Sequence, residues 1–163
     1  MGEKLSGWVL PGMFVAAWVL ALLGVSAPGF GQSGFSEQNT ISWILYFAGW
    51  VFIFSSIMHS VFAKKMAKSI GWKTNGFQYE IAAVSLGLGI ASFVSVYSQI
   101  GTEIISIPII TFLFFAGLNH TIEIVKNKNY APNNTLILIW DFGVSISLLV
   151  LLLVINRGGL LLF

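Results

Sequence analysis

Runs of apolar residues long enough to cross a bilayer recur along this chain, and they constrain its fold more than any other feature. A hydrocarbon core about 30 Å thick takes roughly 20 residues of helix, because each residue advances the axis by about 1.5 Å. Five runs meet that length: Trp8 to Ala27, Ile41 to Ala63, Phe77 to Gln99, Ile104 to Val125 and Leu136 to Ile155. Many of their residues are β-branched and would suit strands in water. In lipid every peptide N–H and C=O must find a partner within its own segment, so runs of this length are expected as helices. The expected fold is all-α, a single transmembrane domain over residues 1–163 built as a five-helix bundle. Composition agrees, since 56% of the 163 residues are hydrophobic and 9% charged, far from a soluble domain.

The first run has some features of a secretory signal, with Lys4 before it and the small residues Gly24-Val25-Ser26-Ala27 near its end. Its apolar stretch is about twice the length of a signal h-region, so a retained span is expected. The lysines then set the orientation. Lys4, the group Lys64, Lys65, Lys68 and Lys73, and the pair Lys126 and Lys128 all fall on one face of a five-span bundle. The opposite loops, Pro28 to Thr40 and Ile100 to Glu103, hold no Lys or Arg, and only Arg157 lies on that side. The positive-inside rule places the N-terminus in the cytoplasm and the C-terminus outside, as a multi-pass protein of the cell membrane.

Several function classes are excluded at this stage. There is no cysteine, so disulfides, thiolate metal sites and iron–sulfur clusters are out of reach. A net charge of +2, with its lysines in short loops, argues against a nucleic-acid partner. No nucleophile motif, phosphate loop or dinucleotide fingerprint occurs, so no catalytic role is legible. The bilayer is the expected partner, with a homo-oligomer or a second membrane protein as further partners. Ser85, Gly87, Gly89 and Ala91 in the third run, and Gly143 with Ser147 in the fifth, stand at close-packing intervals and are expected at helix contacts. Phe62, Met66 and Ile70 stand four apart among lysines, which predicts a short helix on the inner surface.

Five ionisable residues fall inside the spans: His59, Glu80, His120, Glu123 and Asp141. All lie at the lysine-rich end, so four helices are expected to deliver them to one layer. Asn119 and His120 stand four and three residues before Glu123, within reach of it along the helix. Charged groups are costly in lipid, so they are expected to face the bundle and pair. Four uses compete. His59, Glu80, His120 and Glu123 are candidate ligands of a divalent metal, although the set matches carboxylate-bridged di-iron sites only in part. The same residues with Asn119 and Asp141 are candidates to bind a small polar ligand. His59 and His120 are candidate axial ligands of a haem, the second choice of cofactor. A proton or ion relay is the fourth use, and spans three to five offer it mainly serines beyond the cluster. Against all of these stands a purely structural network that fixes helix register in a structural or assembly protein.

A series of short motifs runs through the second half of the chain: Ile70-Gly71-Trp72, Phe77-Gln78-Tyr79-Glu80, Leu86-Gly87-Leu88-Gly89, Ala116-Gly117, His120, and Asn129-Tyr130-Ala131-Pro132 followed by Asn134. From Ser69 to about Leu152 these resemble an uncharacterised family of small prokaryotic multi-pass membrane proteins, classed as a domain of unknown function. Gly76 and Asn133 depart from the family's proline and glycine at those loop positions. The resemblance implies a membrane fold and no particular activity.

Overall fold

The structure, a computed structural model, describes residues 6–156. Lys4 and Arg157, used above to orient the chain, lie outside the described residues. Among the described residues the chain is helical without strands: α1 Val9–Leu22, α2 Glu37–Ser60, α3 Ala63–Ser69, α4 Phe77–Ser98, α5 Thr102–Asn127, α6 Pro132–Thr135 and α7 Ile137–Ile155. Four helical segments, α2, α4, α5 and Pro132–Ile155, are long and apolar enough to cross a membrane, and α1 is a shorter apolar helix. The predicted spans thus recur as helices, the second shifted to Glu37–Ser60 from Ile41 to Ala63 and the first cut short at its end.

The shortening lies in the first run, expected as helix to Ala27. Helix α1 stops at Leu22 because Gly24 takes a left-handed φ of +70°. Val25 N–H then reaches back to Leu20 O at 3.0 Å and Gly24 N–H to Ala21 O at 2.9 Å, the paired bonds of a Schellman cap. The following loop is held by Asn39 in α2, which is wholly buried. Its Oδ1 accepts from Ala27 N–H at 2.8 Å, and its Nδ2 donates to Val25 O at 2.9 Å. Trp43 Nε1 donates to the same Val25 carbonyl at 2.8 Å. Two loop groups, the Ala27 amide and the Val25 carbonyl, are satisfied in this way. Asn39→Ala is expected to cost about 2 kcal/mol and to speed hydrogen exchange at the Ala27 amide. Unchanged protection at Ala27 would show that the loop is held by other means.

Helix α2 is the hub: α4 packs most extensively along it, α1 lies on another side, and α7 with α5 close the bundle. The α2–α4 seam is built from small residues. A Cβ on Gly89 would stand 3.1 Å from Gly49 O, and one on Gly49 would meet the Phe93 ring at 3.0 Å. Ser55 and Ser85 hydroxyls face each other across the seam at 3.3 Å. Gly143 admits the Phe14 ring of α1, and Ser147 Oγ accepts from Trp18 Nε1 at 3.2 Å. Of the small residues expected at contacts, Gly87 behaves differently: it is exposed, with no atom near its missing side chain. It lies on the outer face of α4, where helical rotation carries it off the Ser85–Gly89 line.

The predicted surface helix forms as α3, but on a shifted face. Ala63, Ala67 and Ile70 are buried, Met66 is half-buried, and Phe62 is exposed with Lys64, Lys65 and Lys68. Two alanines let α3 approach the bundle more closely than the Phe62–Met66–Ile70 face would allow.

Candidate functional site

At the lysine-rich end the loops around α3 and α6 close over the helix ends. Helix α5 finishes at Lys128, left-handed with φ 54°, and Asn129 N–H reaches back to Glu123 O at 3.2 Å. This cap turns Asn129 inward, where its Nδ2 donates to Ile70 O at 2.8 Å and its Oδ1 accepts from Ala131 N–H at 3.2 Å. Pro132 opens α6 at a position where a missing N–H costs nothing, and Asn134 is thereby wholly buried. Asn134 Nδ2 donates to Asn129 O at 3.0 Å, while its Oδ1 stands 2.7 Å from His120 Nδ1. Because an amide oxygen only accepts, the proton of this bond sits on Nδ1.

His120 is 7% exposed, and Trp72 stacks on its ring at 5.2 Å with planes 23° apart. Trp72 follows Gly71, whose φ of +76° and lack of a Cβ are both required: a Cβ there would lie 2.6 Å from Asn129 Oδ1. His59, half-buried at the end of α2, stands near enough to His120 for the two rings to interact electrostatically. Its Nδ1 is 3.4 Å from Gln78 Nε2, which also donates to Ala63 O at 3.2 Å. Two buried atoms at this site have no hydrogen-bond partner, Trp72 Nε1 and Gln78 Oε1.

The candidate residues divide. His59, His120 and Glu123 share one neighbourhood, Glu123 lying within electrostatic range of His120 and accepting from Asn127 Nδ2 at 2.8 Å. Glu80 and Asn119 are exposed and turn away. The inner stripe of α4 runs Gln78, Ala82, Ser85, Gly89, Ser92 and Val96, at helical spacing, and Glu80 is about 200° around the helix from Gln78. Asn119 is one position off the matching stripe of α5, which ends Leu113, Gly117, His120. Asp141 is 2% exposed beside Gly117, one turn from His120, and its Oδ2 has no partner.

This geometry does not support the metal expectation. Among the described residues no three His, Asp or Glu side chains stand where they could hold one metal ion, because Glu80 faces outward and Asp141 lies deeper. Neither histidine is among the lining residues of the two cavities that open at this end of the bundle around α3. Deeper in the bundle, Ser92, Ser106 and Ser145 donate to Leu88 O, Thr102 O and Asp141 O of their own helices rather than to one another. Sequence reasoning on ionisable residues passed over Trp72, Gln78, Asn129 and Asn134. Their signal was present in the motifs that carry the family resemblance, which the fold brings together around His120.

Helices of this length and apolarity, arranged as a bundle with a polar patch closed at one end, make up a multi-pass helical membrane protein. The chain belongs to the family of unknown function DUF6790, matching it over residues 8–159. The match takes in spans one and two as well as the half from Ser69 onward. No curated protein and no solved structure matches the chain.

Proposed function

We propose that this protein binds a small polar molecule at the end of the bundle where His59, Trp72, Gln78 and His120 meet. The observation that carries the reading is the pair of buried, unpartnered atoms of opposite sense, the Trp72 Nε1 donor and the Gln78 Oε1 acceptor, beside two imidazoles. Orphaned buried polar atoms are uncommon, and a guest that both accepts and donates would satisfy the two together. The positive-inside argument places this end in the cytoplasm, with five spans, the N-terminus inside and the C-terminus outside. Glu123 is a half-buried neighbour of His120 and the acidic group best placed to touch such a guest.

A second reading has its own observation. The bonds from His120 to Asn134, Asn134 to Asn129 and Asn129 to Ile70 are all internal and fasten two loops to the bundle, as a structural or assembly role would require. Trp72→Phe and Gln78→Leu separate the two, since each removes an orphaned atom and preserves most of the volume. For a binding site, mass spectrometry of the denatured wild-type protein finds a stoichiometric small molecule that is absent from both variants, and both variants melt lower. For a dry structural network no such molecule is found. Trp72→Phe then gains about 1 kcal/mol, because an unsatisfied buried group has been replaced by an apolar one, while Gln78→Leu gains nothing, since it also removes the Nε2 bonds to Ala63 O and His59 Nδ1. The second outcome would retire the binding reading.

A further inference from the structure

A separate cavity of about 680 Å³ opens between the start of α1, the end of α2, α3 and the α6–α7 junction. Its walls include Leu10, Met58, Met66 and Ile137, and its polar margin carries Lys65 and Lys68. Among the described residues the lining holds no acidic side chain, and neither histidine, Trp72 nor Gln78 contributes to it. We infer that this cavity is a binding site for one anionic phospholipid of the surrounding membrane, its phosphate on Lys65 and Lys68 and the start of an acyl chain against the Met58, Met66 and Ile137 wall.

Three features support the assignment. Lys65 and Lys68 stand three apart on α3, on adjoining turns of one face, so their ammonium groups can converge on a single phosphate. Helix α3 lies where the transmembrane helices end, at the depth of lipid headgroups, and lysines there keep their charge outward while their stems cover apolar surface. The volume falls within the range of ligand pockets, and an apolar wall behind a cationic rim suits an amphiphile better than a free anion. Lys64 lines a different, smaller cavity with Val61, Phe62 and Tyr79, and Lys73 lines neither. Lys65 stands between the two cavities and borders both, whereas Lys68 borders only the larger.

The two lysine pairs provide a charge-matched test. The full chain in mild detergent would be titrated with short-chain phosphatidylglycerol and phosphatidylcholine and read by native mass spectrometry, beside the double variants K65Q/K68Q and K64Q/K73Q. Wild type is expected to hold one phosphatidylglycerol with about tenfold preference over phosphatidylcholine. K65Q/K68Q is expected to lose that preference, and K64Q/K73Q to stay within about twofold of wild type. Glycerol 1-phosphate, which carries the phosphate without the chain, is expected not to compete. Equal losses in both double variants would overturn the site in favour of diffuse surface charge, and efficient competition by glycerol 1-phosphate would overturn the lipid in favour of a soluble anion. A wild type without headgroup preference would overturn it outright. None of these outcomes depends on the histidine-lined site.

Discussion

Gly89→Leu is expected to destabilise the bundle by about 3 kcal/mol or more, whereas Gly87→Leu, two residues away, changes stability by less than about 0.5 kcal/mol. At position 89 the new Cβ meets Gly49 O at 3.1 Å and the Ile53 side chain at 2.9 Å. Ile53 can rotate, but the carbonyl belongs to the α2 backbone and moves only if the helices separate. Lipid offers no hydrophobic force to hold α2 and α4 together once their close fit is lost, since tails solvate leucine as well as protein does. At position 87 the side chain would enter open space on the outer face. The check is thermal or denaturant unfolding of both variants in the same detergent. Equal melting of the two would mean that the α2–α4 seam does not run through Gly89.

Asn134→Leu is expected to cost about 2–4 kcal/mol and to loosen the loop between α2 and α4. The substitution nearly preserves volume but leaves the His120 Nδ1 proton and the Asn129 carbonyl without partners in a wholly buried place. Removing one partner of a buried hydrogen bond is more damaging than removing both, because the survivor keeps its desolvation cost. Trp72 leans on His120, and Asn129 holds Ile70, so the disturbance should travel to the Lys64–Lys73 segment. Trypsin cleavage there is the readout, expected to quicken by about tenfold for a local weakening of about 1.4 kcal/mol. Cleavage at the wild-type rate would show that the loop is held without the asparagine pair.

The two variants probe parts of the protein that were unequally legible. Gly89 was readable in the third run, because small residues at intervals of four mark a helix contact. Gly87 satisfied the same rule by composition and failed it by rotation, since the inner stripe of α4 is set by Gln78, Ala82, Ser85 and Gly89. The same stripe disposes of Glu80: intramembrane depth singled it out, but depth does not say which way a helix faces. Asn134 was visible only as part of a turn motif. Its role depends on Pro132 starting a helical turn and on the left-handed Lys128 cap swinging Asn129 inward, a coincidence of two loop geometries.

The sequence by itself determined that the chain is helical and lies in a membrane, because long apolar runs leave the backbone no other way to satisfy its polar groups. Counting residues at a fixed rise also set which end of each helix carries the polar residues. Only the tertiary structure decided which of them face each other. Rotation about each helix axis is fixed by packing of small residues against neighbouring helices, and the closing loops by two left-handed caps. Packing therefore joined His59 and His120 to Trp72, Gln78 and Asn134, and turned Glu80 and Asn119 away.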